Sequence, residues 1–255
     1  MDVTLIEFSP TGGTGKAARA LAEGLGPVTA RIDLADRSTD FASAAVDPGT
    51  VAVVAVPSFG GRVPALAAER LAAIDGAGAA GIAVAVYGGR AYEDTLVELV
   101  DLCQAAGLRP VATLAALAQH SILPQYAAGR PDADDLACLA DAARAIAAKL
   151  ADGDDAVPSV PGSRPYKKAG AASLVPKAGS ACDGCGLCAA RCPAGAIDAK
   201  SCRTADKALC IGCMRCVRDC PRQARSVSGL MTRLAALAIK GECAKPKAVE
   251  LFLEP

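Results

Sequence analysis

Val3-Thr4-Leu5-Ile6-Glu7-Phe8-Ser9-Pro10-Thr11-Gly12-Gly13-Thr14-Gly15-Lys16 runs from a short apolar stretch into a loop of hydroxyls and glycines, and a helical pattern follows over 17–25. Glycines let the backbone turn its amides towards one point, three hydroxyls add donors, and a helix N-terminus favours an anion. The stretch reads as strand, phosphate cradle and helix. An NTP-binding P-loop is one competing reading, but it needs a glycine where Pro10 stands and a Ser or Thr where Ala17 stands. A glycine-rich turn without a ligand is the other.

Further apolar, β-branched runs at 28–34, 51–56, 82–87 and 110–114 predict strands, and helical periodicity predicts helices over 65–74, 93–106 and 134–150, the last capped by Asp132. The crossover between the second and third strands has the weakest pattern. Near-continuous apolar strands suit a parallel sheet covered on both faces. The prediction for residues 1–152 is an α/β, doubly wound domain with a five-stranded parallel sheet, which binds ligands beyond the carboxyl ends of its strands.

Two later loops occupy that edge, Pro57-Ser58-Phe59-Gly60-Gly61-Arg62-Val63-Pro64 and Tyr87-Gly88-Gly89-Arg90-Ala91-Tyr92. The chain has four Phe and four Tyr, and Phe59, Tyr87 and Tyr92 all fall here. Scarce aromatics beside glycines suit a planar ring held between side chain and backbone. Packing over a helix end is the alternative for each.

On Ser9-x-Thr11-Gly12-x-Thr14 and these loops, residues 1–150 resemble the flavodoxin family, with Gly13 in place of the usual Asn. The resemblance implies FMN, its phosphate held by Ser9, Thr11, Gly12, Gly13 and Thr14. Its ring would lie near Ser58, Phe59, Gly60, Gly61, Tyr87, Gly88, Gly89 and Tyr92, with Phe59 and Tyr92 as the aromatic contacts and backbone groups near Gly60, Gly88 and Gly89 addressing the flavin edge. The lone histidine, His120, follows the fifth strand and reads first as a loop residue with a local hydrogen bond.

Twelve cysteines are divided unevenly: Cys103 and Cys138 lie in helical stretches and read as core, while ten fall from Cys182 to Cys243. Such clustering in a reducing compartment points to metal ligation over disulfides. Cys182-x-x-Cys185-x-x-Cys188-x-x-x-Cys192-Pro193 recurs as Cys210-x-x-Cys213-x-x-Cys216-x-x-x-Cys220-Pro221, an internal duplication with an offset of 28. In such runs three thiolates wrap one corner of an iron–sulfur cubane and the fourth ligates the other cluster. One cluster is thereby assigned to Cys182, Cys185, Cys188 and Cys220, the other to Cys210, Cys213, Cys216 and Cys192. Zinc is the competing metal, but it takes ligand pairs separated by a longer loop. Residues 180–228 resemble bacterial-type ferredoxins with two [4Fe-4S] clusters, which here double as the module's core. Leu187, Ile197, Leu209, Ile211 and Val217 are expected to shield them, and Cys202 and Cys243 to stand outside the ligand sets.

Hydrophobic residues make up 52% of the 255, with mean hydropathy +0.31, which excludes disorder. No window reaches the ~18 apolar residues of a membrane span. Met1-Asp2-Val3 lacks a basic leader, so a cytoplasmic location is the default expectation. The formal charge of +0 hides a division: residues 1–155 hold 11 Lys+Arg against 20 Asp+Glu, residues 156–255 hold 16 against 7. The two halves are therefore predicted to attract; the alternative reading is that Arg215, Arg218, Arg222 and Arg225 compensate the clusters' own negative charge. The proline-bearing stretch near 153–178 reads as a linker, 179–229 as the ferredoxin module and 230–255 as a C-terminal extension containing a short helix.

The whole chain resembles flavodoxin–ferredoxin fusion proteins of anaerobes. That resemblance implies electron transfer between FMN, two [4Fe-4S] clusters and an external redox protein or reductase, with no residue needed for acid/base chemistry. A flavin-dependent reductase of a quinone or other small organic acceptor is the enzymatic alternative; a redox sensor or assembly subunit is the non-catalytic one. Nucleic acid is not an expected partner, because cluster ligands interrupt the basic patch.

Overall fold

The computed structural model describes residues 1–170 and 174–255; residues 171–173 of the expected linker lie outside the described residues. The first 152 residues alternate strand and helix: β1 (Val3–Glu7), α1 (Gly13–Leu25), β2 (Val28–Asp33), β3 (Val51–Pro57), α2 (Ala65–Ala72), β4 (Ala80–Tyr87), α3 (Thr95–Ala105), β5 (Arg109–Leu117) and α4 (Ala133–Ala151). The β2–β3 crossover, where the pattern is weakest, holds only a single 3₁₀ turn, Phe41–Ser43, capped by Asp40. Asp132 starts α4 with a reciprocal capping box to Asp135.

The strands order as β2-β1-β3-β4-β5, all parallel, the flavodoxin-like arrangement with its switch point between β1 and β3. Successive side chains leave opposite faces. Val53 and Val84 pack with Leu21, Leu139 and Ile146 under α1 and α4, while Val54 and Ala83 pack with Leu71, Leu99 and Cys103 under α2 and α3.

A sixth strand comes from the far end of the chain. After β6 (Lys177–Ala178), α5 (Leu187–Ala190), α6 (Arg215–Arg218) and β7 (Arg225–Ser226), the extension forms α7 (Gly229–Cys243) and β8 (Glu250–Phe252). β8 pairs antiparallel with β5, Leu114 opposite Leu251. Val249, Leu251 and Leu253 pack on the α1/α4 side and Phe252 on the other cluster, a period-2 alternation only three paired residues long. The extension thus completes the sheet of the first domain.

The segment before the ferredoxin-like half has no helix or strand between 152 and 170, yet it is tied down over α3. Arg164 makes a two-point ion pair with Asp101, and the amides of Ser163 and Lys167 donate to the Asp94 carboxylate at 2.9 and 2.7 Å. Among the described residues no helix is long and apolar enough to cross a membrane.

Candidate functional site

Residues 179–226 are built by the duplication. Each repeat turns through two left-handed residues, Gly184 (φ 75°) and Gly186 (φ 77°) in the first, Gly212 (φ 67°) and Met214 (φ 64°) in the second. These turns gather the thiols. Cys182, Cys185, Cys188 and Cys220 line one cavity, and Cys192, Cys210, Cys213 and Cys216 line another. The fourth cysteine of each run has crossed to the other repeat's cavity. It is held by the same local bond each time: the Ala196 amide donates to Cys192 Sγ at 3.3 Å, and the Ala224 amide to Cys220 Sγ at 3.2 Å.

The thiols ring a space instead of converging on a point. Among the described residues no three His, Cys, Asp or Glu side chains come close enough to share one ion. Burial pushes the Cys213 thiol up to about 12 and raises Cys188 and Cys216 as well, so iron bound there would have to hold them as thiolates.

The shielding set differs in part from expectation. Leu187 lines the first cavity, and Ile197 and Ile211 the second, but Leu209 is 52% exposed and neither it nor Val217 lines a cavity. Met214, buried at the left-handed turn, stands there instead. Cys202 is buried on the wall of the first cavity with its thiol donating to the Ala199 carbonyl, and Cys243 lies half-buried at the end of α7. Cys103 is fully buried, its thiol pushed up to about 12, whereas Cys138, expected in the core, is exposed on α4.

The first loop sits where the sheet topology places it. Gly12 is the left-handed residue before α1, Ser9 Oγ accepts from the Gly15 amide at 2.7 Å, and Thr14 is buried in the first turn. Among the described residues the amides of Thr11, Gly12, Gly13 and Thr14 have no acceptor, so Thr11, Gly12, Gly13 and Thr14 offer donors to an anion. Beneath the loop lies Glu7, fully buried and paired to Arg31 and Arg19; a Cβ on Gly15 would meet its carboxylate at 2.3 Å.

The later loops converge beside it. Gly60 (φ 63°), Gly61 (φ 83°) and Gly89 (φ 85°) adopt left-handed turns, Phe59 is half-buried, and Ser58 Oγ accepts from Thr95. A Cβ on Gly88 would collide with His120, whose Nδ1 accepts from the Ile122 and Leu123 amides; burial, with Arg90 nearby, lowers its pKa. The tyrosines go elsewhere. Tyr87 and Tyr92 stack edge to face at 5.3 Å inside the core, and the Tyr92 hydroxyl donates to Glu250 at 2.8 Å. Burial, with Glu250 close by, pushes Tyr87 up to about 12. Of the three aromatics expected at the crevice, Phe59 alone is not buried.

The two halves meet at the first loop. Arg215, adjacent to Cys216, donates from Nε to the Pro10 carbonyl at 3.1 Å and from Nη1 to the Ala35 carbonyl at 3.2 Å. Arg70 of α2 reciprocates, donating to the carbonyl of Pro193, adjacent to Cys192, at 2.8 Å. Arg218 Nη1 lies 2.8 Å from where a Gly12 Cβ would stand, and Ile211 packs on the α2/α3 core cluster. The second cysteine cavity therefore abuts the anion loop. Among the described residues no ion pair joins residues 1–152 to 179–229, and arginine-to-carbonyl hydrogen bonds make the contact. In the sequence Arg215 and Arg218 read as charges able to compensate the clusters, not as contacts to the first loop.

Residues 179–198 and 204–226 match the family described as 4Fe-4S binding domain. No curated protein matches the chain. Among solved structures it is similar to rubredoxin oxygen:oxidoreductase from the anaerobe Desulfovibrio gigas, at 20% identity and a TM-score of 0.39 over 59% of this chain and 37% of that one. The chain thus spans little more than a third of that protein. By its family match and its repeated cysteine runs, the C-terminal region is a ferredoxin-type 4Fe-4S binding domain.

Proposed function

We propose that the chain is an electron carrier that holds FMN in its first domain and two [4Fe-4S] clusters in its second, and exchanges electrons with an external redox protein. The observation that carries this reading is the seating of the second cysteine cavity against the glycine-rich loop, through Arg215 on Pro10 and Arg70 on Pro193. FMN would supply a carrier of one or two electrons, and the clusters carriers of one at a time.

Each residue has a part in this reading. Thr11, Gly12, Gly13 and Thr14 hold the phosphate through amides at the start of α1, while Ser9 fixes the loop through Gly15. The guanidinium of Arg218 adds positive charge above Gly12. Phe59 and the turns at Gly60, Gly61 and Gly89 bound the ring site. Cys182, Cys185, Cys188 and Cys220 hold the outer cluster, and Cys192, Cys210, Cys213 and Cys216 the one nearer the flavin.

The test is anaerobic purification of the full chain with quantification of iron, sulfide and flavin, then titration of the flavin-free protein with FMN and riboflavin. About eight irons and one FMN are expected from the two-cluster spacing, with riboflavin bound far more weakly because it lacks the phosphate. Eight irons with no flavin, or equal affinity for both flavins, overturns the FMN assignment; zinc in place of iron overturns the clusters.

A further inference from the structure

The offset of 28 that relates the two cysteine runs also relates Ile197 to Arg225. Ile197 is 6% exposed and forms part of the second cavity's apolar wall. Arg225 is 3% exposed, more deeply buried than the isoleucine whose place it takes. Its Nη1 lies 3.7 Å from Cys188 Sγ and donates to the Cys202 carbonyl at 2.6 Å, and its Nη2 donates to the Pro176 carbonyl at 3.0 Å. Arg225 lines the cavity of Cys182, Cys185, Cys188 and Cys220, and is not part of the lining of the other.

Two facts make this guanidinium unusual. Its Nε is buried with no hydrogen-bond partner, and no Asp or Glu pairs with it, among the described residues. A buried, unpaired cation is costly and calls for a compensating charge. The thiolates of the first cavity can supply it, since thiolate-ligated iron–sulfur clusters carry net negative charge.

Building on the two-cluster reading, we infer that Arg225 is a countercharge to the cluster held by Cys182, Cys185, Cys188 and Cys220, and that it raises that cluster's reduction potential above the value it would have without the cation. Adding an electron increases a cluster's negative charge, so a cation fixed beside its ligand sulfur stabilises the reduced form more than the oxidised one. Net charge and hydrogen bonds to sulfur are among the established determinants of cluster potential. Because the guanidinium lines the first cavity and not the second, its removal moves the first couple more than the other.

The experiment compares the reconstituted full chain with Arg225→Ile, which restores the residue of the first repeat, Arg225→Gln, which keeps a donor without charge, and Arg225→Lys, which keeps charge. Iron and sulfide are quantified first, and midpoint potentials then follow from EPR-monitored redox titration. One of the two couples is expected to fall in Arg225→Ile and Arg225→Gln and to stay near the parent's in Arg225→Lys, the other moving less. If Arg225→Ile does not assemble, the Gln and Lys pair decides the same question. Unchanged potentials in a fully loaded Arg225→Gln protein, or equal movement of both couples, overturns the inference. A parent chain that binds no iron overturns instead the cluster reading on which it rests.

Discussion

The two halves of the chain solve the folding problem with different materials. All twelve of the largest fully buried side chains, from Leu5 to Ile146, lie in residues 1–152. Between 179 and 226 the buried set is Ala189, Pro193, Ala196, Ile197, Cys202, Gly212, Cys213, Met214, Ala224 and Arg225: three alanines, a proline, a glycine, two cysteines, one charge and only two large apolar side chains. The first half offsets chain entropy by apolar burial, at roughly 25 cal/mol per Å². The second has no such reserve, and its interior is the pair of cysteine cavities.

The largest effect that can break this contrast is removal of iron. Chelation is expected to unfold 179–226 while leaving the parallel sheet folded, because only the ferredoxin-like half has its interior made of ligands. Hydrogen exchange reads both halves at once: amides of 179–226 lose protection, those of β1, β3 and β4 keep it. Retained protection in the cysteine repeats would show that the half has a core of its own. The converse perturbation is Leu114→Ala, at the centre of β5 and fully buried, with an expected cost of roughly 2–5 kcal/mol in the first domain. Denaturant melting should register that loss with iron content per folded chain unchanged.

Smaller changes sharpen the boundary between the halves. Arg215→Ala removes the hydrogen bonds to Pro10 and Ala35, and charged donors of this kind contribute roughly 1.5–3 kcal/mol. Limited proteolysis should then cut more readily between the halves while each keeps its own melting transition. Raising salt alone is expected to do much less, since the contact uses carbonyl acceptors. Below that comes Asp132→Ala, which removes one half of the α4 capping box for about 1 kcal/mol. Its effect should appear in the first domain's melt and leave the cluster spectrum untouched.

The same contrast explains what was legible in the sequence. The parallel sheet was, because near-continuous apolar strands separated by helical periods permit little else. The cysteine runs were too, since local spacing dictates which thiols can share a centre, and the cavity linings divide the cysteines as the repeat does. What escaped depends on contacts between distant segments. β8 has three paired residues and no pattern strong enough to mark a strand, yet it covers β5. Glu250 arrives with it and takes the Tyr92 hydroxyl, which turns inward a ring that composition placed at the crevice. Arg225 read, with Arg215, Arg218 and Arg222, as a charge able to compensate the clusters; its burial, the reverse of what Arg222 three residues earlier shows, was not legible.

The smallest expected effect concerns the segment between the halves, which composition marks as a linker and the structure fastens to α3. Asp101 accepts two hydrogen bonds from Arg164 and one from the Tyr166 hydroxyl. The Arg164 hydrogen bonds hold its carboxyl below the usual carboxylate value, against a smaller opposing effect of burial, with Tyr166 adding to the lowering. A carboxyl whose folded pKa lies below its unfolded one stabilises the fastened state fully above the unfolded value, and that contribution is lost as pH falls through the folded one. The fastening should therefore hold at neutral pH and loosen only in acid below the ordinary Asp range. Arg164 remains charged throughout, so protonation acts on one side of the pair alone. Proteolytic susceptibility around 160–168, followed from pH 7 down to about 3, is expected to rise only at the acid end, and Asp101→Asn should bring that susceptibility to neutral pH. If the segment is equally protected in Asp101→Asn, the apolar contact of Val160 with the core secures it without the ion pair, and the boundary between the halves is built of the same material as the first domain.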